Sequence, residues 1–244
     1  MWKWRYFAVA ELLKQWIPNV VAYKTRFFQS LTQTMQMTLR SGAIAFVIGL
    51  ALGVLLTVWK KGGIRPNAIL YRLLNIIVNL FRSIPFVILL IFLIPFTRMI
   101  AGTAIGVKGA LVPLVFGCVP FYTRQVEAAL ASVNPGKIEA ARSMGSSTLG
   151  IIFRVYLHEA VPDLVRATTI TAISLIGLTT MAGAVGAGGI GSFAINYGQN
   201  QNHQDIVNVC VIILLIFVSL LQFLGNLISH RTTNRGLFAK GDQK

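Results

Sequence analysis

IVNVCVIILLIFVSLLQFLGNLI, residues 206–228, contains no charged side chain. The hydrocarbon core of a bilayer is about 30 Å thick, which a helix of about 20 mostly apolar residues can cross. No water is available there, so every backbone N–H and C=O must be paired within the segment, and a helix does this. Working outward, four more stretches have this character. Ser41–Trp59 is free of charge, and Ile84–Ile100 is shorter, with a half-apolar lead-in over Asn67–Phe81. Ala104–Tyr122 carries Lys108 near one end and two prolines, Pro113 and Pro120; Ala167–Val185 completes the set. The pattern predicts an all-α polytopic membrane protein with five transmembrane helices. Composition agrees: 55% of the 244 residues are hydrophobic and only 12% charged, against about a quarter charged in a soluble domain.

Charge placement sets the expected orientation. Lys60, Lys61, Arg65, Arg72 and Arg82 fall between the first two spans, and Arg124, Lys137, Arg142, Arg154 and Arg166 between the third and fourth. Arg231, Arg235, Lys240 and Lys244 follow the fifth, whereas the opposite loops hold Arg98 and Lys108, with Arg40 at the edge of span one. Basic loops stay cytoplasmic, which predicts the N-terminus outside and the C-terminus inside. The basic N-terminal tail (1–30), with Lys3, Arg5, Lys14, Lys24 and Arg26, runs against this rule. It is either an interfacial helix or a segment reversed by an extra element. The expected organisation is that tail, a transmembrane domain over 31–230 with a cytoplasmic loop at 134–162, and a cytoplasmic C-terminal tail at 231–244. The net charge of +15 is dispersed in loop clusters, not gathered on one soluble face, which argues against nucleic acid as a partner.

Several chemistries lack their residues. The spans hold no Asp or Glu, the usual carriers of proton or sodium coupling, and no G-x-x-x-x-G-K-[ST] phosphate loop occurs. His158-Glu159 begins an H-E-x-x-H motif that Pro162 ends, and Cys118 and Cys210 read as small packing residues without metal-ligand spacing. The sequence therefore suggests no catalytic residue, metal or cofactor site on this chain. Residues 186–191, GAGGIG, match the dinucleotide fingerprint, but they end a transmembrane stretch instead of linking a strand to a helix. A break where backbones approach closely is the better reading.

The loop NPGKIEAARSMGSSTLGIIFRVYLHEAVPDLV, residues 134–165, carries local signals. Asn134 suits an N-cap and Pro135 the first helical position. Glu139 is expected near the positive helix end, Gly145 as the stop, and Ser146 or Ser147 as the next start. Small residues, Ala140, Ala141, Ser143 and Gly145, make a narrow rod able to dock in a groove. An ordinary amphipathic loop helix fits the composition equally well.

Glu139-Ala140-Ala141, then Gly145, Leu157 and Pro162, resemble the E-A-A loop of binding-protein-dependent (type I) ABC importer permeases. FRSIPF (81–86), IPFTR (94–98), EAARSMG (139–145) and AVGAGGIG (184–191) are similar to the methionine branch, over roughly Leu31 to Ile228. His158 departs from the proline usual there, so the second loop helix is free to run further. The resemblance implies a coupling helix built from Ile138, Glu139, Ala140, Ala141, Arg142, Met144 and Gly145. It implies a homodimer in the bacterial cytoplasmic membrane, two cytoplasmic ATPase subunits carrying ATP and Mg, and an external binding protein that delivers methionine.

For the path itself, Thr171, Ser174, Leu178 and Met181 recur at steps of three, four and three and share a helix face. They read either as a lining with Met181 as gate or as helix packing. A permease for another amino acid or small anion, or a self-sufficient channel or carrier, remains open at this point.

Overall fold

The computed structural model describes residues 15–238, with side chains through Thr232. The described residues form helices and no strand. Residues 1–14 of the expected basic tail lie outside them.

A short helix α1 (Pro18–Ala22) leads into α2 (Lys24–Trp59), which is 36 residues long. At about 1.5 Å per residue it runs well beyond the expected Ser41–Trp59 span, and it starts inside the expected tail. The added turns hold Ser30, Thr34, Met37 and Thr38, all buried.

The expected second span is not one helix. α3 (Ala68–Ser83) is capped by the Asn67 side chain, which accepts from Ile69 N and Leu70 N. It meets α4 (Phe86–Phe92) at a bend of 102°, and α5 (Ile94–Ala101) follows. Pro85 precedes α4 and Pro95 falls in the first turn of α5; each ring fixes φ and removes an N–H, so each position opens a helix instead of continuing one. Among the described residues four other helices are long and apolar enough to cross, and the bent pair brings the number to five if it is one span.

α6 (Gly106–Ala131) continues through Pro113 and Pro120, past the expected end at Tyr122. Its extension carries Arg124, which reaches Glu127 on its own helix and the side-chain oxygens of Asn75 and Asn79 on α3. This network ties the bent helix to the bundle. α7 (Pro135–Ser143), α8 (Thr148–Ile151), a π-helical stretch (Ile152–Tyr156) and α9 (Leu157–Glu159) form the loop hairpin. α10 (Val161–Ala182) is the fourth span, α11 (Gly189–Phe193) follows its break, and α12 (Gln204–Phe238) is the last. About half of α12's described apolar side chains, Leu215, Ile216, Leu220 and Phe223 among them, are exposed, the arrangement of a lipid-facing helix.

Three apolar clusters stack along the bundle. At one end Val58, Ile64, Val126, Leu130, Ile151 and Tyr156 join the hairpin to α2 and α6. Met37, Ala45, Leu114, Cys118 and Leu175 fill the middle. At the far end Val20, Phe27, Ile190, Phe193, Ile206 and Cys210 bind α1, α2, α11 and α12. Both cysteines are thus buried packing residues. The helices come close because small residues face large ones. A Cβ on Gly53 would sit 2.6 Å from Val126 Cβ, and one on Gly49 would sit 2.8 Å from Tyr122 Cδ1.

Candidate functional site

The hairpin is built from caps that its sequence encodes. The Asn134 side chain accepts from Gly136 N at 2.8 Å, and Pro135 takes the first helical position. At the other end Gly145 adopts φ +74. Its N–H donates to Arg142 O, and Ser146 N donates to Ala141 O, both at 3.0 Å. This pair of bonds closes a helix through a left-handed residue, which glycine adopts without a Cβ penalty. Ser147 caps the next helix by accepting from Gly150 N at 3.2 Å. That helix passes through His158 and stops at Glu159, where Pro162 opens the fourth span.

Glu139 is a correction to the expected capping. It lies beyond the first turn of α7, which holds no acid, and the helix-end field fades within that turn. Glu139 is instead exposed, as are Ala140, Arg142, Met144 and Gly145. Ala141 is buried in the end cluster and Ile138 packs on it. Lys137 pairs with Glu159 and joins the two arms of the hairpin; behind it Arg142 Nη2 reaches Ile64 O at 3.4 Å, and Tyr156 is buried in the end cluster, which pushes its phenol pKa up. One face is therefore anchored and the other free. On the free side Met144, Leu149 and Phe153 are 78%, 66% and 64% exposed. The sequence reading missed Leu149 and Phe153; large apolar residues in a basic loop were the available signal.

In the fourth span the four residues expected to share a face divide. Met181 is 50% exposed, and Ser174 and Leu178 are half-buried. Thr171 has no exposure and donates its hydroxyl to Ala167 O at 2.8 Å. It packs inside this chain, so of the two readings packing applies there. Ten residues at about 100° each place Thr171 roughly 80° around the helix from Met181. Ile170 and Gly177, both exposed, flank Met181 on the open edge.

The glycine-rich break after Met181 is clamped. Gly189 N donates to Gln33 Oε1 at 2.8 Å and Ile190 N to Thr34 Oγ1 at 2.9 Å. Gly189 has φ +80, and a Cβ there would lie 2.7 Å from Thr34 Oγ1. A Cβ on Gly191 would lie 2.1 Å from Thr180 O. Close approach, and not phosphate binding, explains these glycines. The polar start of α2 thus has a purpose invisible in hydropathy: its side chains satisfy the backbone of the broken fourth span. Among the described residues no group of His, Cys, Asp and Glu is placed to hold a metal ion.

Apolar helices long enough to cross a bilayer, closely packed through small residues, define a polytopic membrane protein. The chain belongs to the binding-protein-dependent transport system inner membrane component family, which it matches over residues 49–234. It is 43% identical over 219 residues to the Bacillus subtilis methionine import system permease protein MetP, covering 90% of this chain and 98% of that one. It is 53% identical over 151 residues to the Escherichia coli D-methionine transport system permease protein MetI, covering 62% and 70%. A solved structure of the MetNI methionine ABC transporter in an inward-facing conformation superposes with a TM-score of 0.84 at 46% identity, covering 86% of this chain and 98% of that one. The architecture is that of type I ABC importer permeases, located in the inner membrane.

Proposed function

We propose that this chain is the transmembrane permease of an ATP-driven importer that takes up methionine delivered by an external binding protein. The observation that carries the proposal is the hairpin, rigidly backed and presenting small and apolar residues on its free side. Such a surface suits insertion into a cleft of a separate ATPase, which would hold ATP and Mg. The exposed Ala140, Met144 and Gly145, extended by Leu149 and Phe153, form the docking face; Ile138 and Ala141 seat it, and Arg142 braces it. Glu139 is an exposed charged member of the surface.

Two copies are proposed to enclose the path between them, since one copy leaves Met181 and its flanking residues open. Met181 is the proposed gate, with Ser174 and Leu178 lining the approach. Thr171 is left out of the lining because it is buried in the single chain. ATP-driven closure of the ATPases would draw the two hairpins together and switch the path between faces. The basic loops support N-out, C-in orientation, with the hairpin in the cytoplasm and the start of α2 outside. The chain would itself perform no chemistry, in keeping with the names of its relatives, which are permeases.

Reconstitution tests this directly. Liposomes containing this chain, its ATPase and its binding protein should accumulate radiolabelled methionine only with ATP. Leu149→Glu together with Phe153→Glu should abolish accumulation. Solute flux through the chain alone, without ATPase or ATP, would assign it to channels or carriers instead.

A further inference from the structure

At the end of the bundle opposite the hairpin, α2 and the segment after the glycine break form a polar cavity of about 190 Å³ that opens to the surface. At ~30 Å³ per liquid water it holds roughly six waters, room for one small organic molecule. Arg26, Gln29 and Gln33 line it from α2, and Ser192 and Asn196 from the other wall, with the rings of Phe193 and Tyr197 beside them. Among the described residues the lining contains no acid.

The hydrogen bonding inside leaves donors in excess. Arg26 Nη1 makes a long contact of 3.4 Å to Gln29 Oε1, and among the described residues Arg26 is in no ion pair. Gln33 spends its oxygen on Gly189 N, so its NH2 remains available to donate to a ligand oxygen. Asn196 Nδ2 donates to Ser192 Oγ at 3.0 Å. One guanidinium with amide donors, and the Tyr197 side chain beside them, matches a carboxylate carried by a small organic molecule. A guanidinium receives a carboxylate with two parallel bonds. A phosphate-binding site gathers several cations, and among the described residues this lining offers Arg26 alone.

We propose that this cavity is a binding site for the carboxylate of a free amino acid on the face opposite the hairpin, next to the loop that follows Met181. It rests on the importer reading for its role, as a station where solute released by the binding protein is held before the gate.

The test is equilibrium binding of radiolabelled L-methionine to the chain co-purified with its ATPase in phosphatidylcholine nanodiscs, without binding protein. Saturable binding is expected, with Arg26→Gln and Asn196→Ala each weakening it, Arg26→Gln by about tenfold or more as expected for one charge-assisted contact. L-methioninamide, lacking the carboxylate, should compete at least tenfold less well than L-methionine. Arg26 is exposed, so its replacement should leave co-purification of the ATPase unchanged. No saturable binding, or full binding by Arg26→Gln, overturns the site. So does competition by inorganic phosphate as strong as by methionine, or loss of binding in phosphatidylglycerol nanodiscs, which would assign the cavity to phosphate or to lipid headgroups. ATP-dependent uptake by the wild type is measured in parallel: Arg26-dependent binding without uptake supports the site and removes the importer reading.

Discussion

Replacing Gly189 by alanine isolates the clamp that holds the broken fourth span. Two costs arise. The first is conformational, since φ is +80 at Gly189, and a left-handed L-residue costs roughly 1–2 kcal/mol. The second is steric, because the new Cβ would meet Thr34 Oγ1 at 2.7 Å and Met37 Cε at 2.9 Å. Met37 is fully buried and Thr34 nearly so, so neither can swing into open space. The loop must withdraw and lose the bonds from Gly189 N to Gln33 and from Ile190 N to Thr34, each worth about 1 kcal/mol. Gly186→Ala is the matched control: φ is +96, yet nothing lies within 4 Å of its Cβ. The two variants share the conformational cost and differ by ~2 kcal/mol, or about 30-fold in local opening. Hydrogen exchange by mass spectrometry over residues 186–198 reads this difference in the purified protein. Protection equal within about threefold in the two variants would refute the clamp as the element that orders the break.

Met181→Trp should reduce ATP-dependent uptake below about a tenth of wild type by filling the exposed edge of the fourth span, while ATPase co-purification persists; unchanged uptake removes Met181 from the path. Gly145→Asp should weaken ATPase docking by roughly tenfold or more in pull-down titrations, because a charge would enter an interface without a partner; docking at wild-type strength misplaces the hairpin's free face. Asp205→Ala removes the acceptor that holds Asn19 N and Asn19 Nδ2, both at 2.9 Å. Hydrogen exchange in residues 18–23 should then rise about tenfold or more, and unchanged exchange would mean that the packing of Val20 alone secures α1.

Local chemistry was legible in the sequence wherever one segment determines its own geometry. Asn134, Pro135, Gly145 and Ser147 act within a few residues of themselves, and each takes the position its side chain suggests. The uncharged stretches also marked the membrane helices, because burial in lipid needs no tertiary partner to be recognised. What hydropathy could not show was continuity. Averaging over Ile84–Ile100 hid two proline-initiated helices, and the polar residues 29–38 obscured the true start of α2 at Lys24. Those residues lie against the broken span, where Gln33 and Thr34 find partners at Gly189 and Ile190, some 156 positions away in sequence. Thr171 shows the same gap at a finer scale. A spacing of three, four and three assigns a fan of roughly 80°, but which edge of the fan meets a neighbour depends on α2, α6 and α12. The polar cavity around Arg26 escaped notice for the related reason that its two walls come from distant segments.

The claim that work arrives through the hairpin can be tested by placing a photo-crosslinking amino acid at Met144 in membranes containing the assembled transporter. Illumination should attach this chain to the ATPase subunit, with a yield that changes when ATP is added. An adduct with the external binding protein, or none with the ATPase, would contradict it.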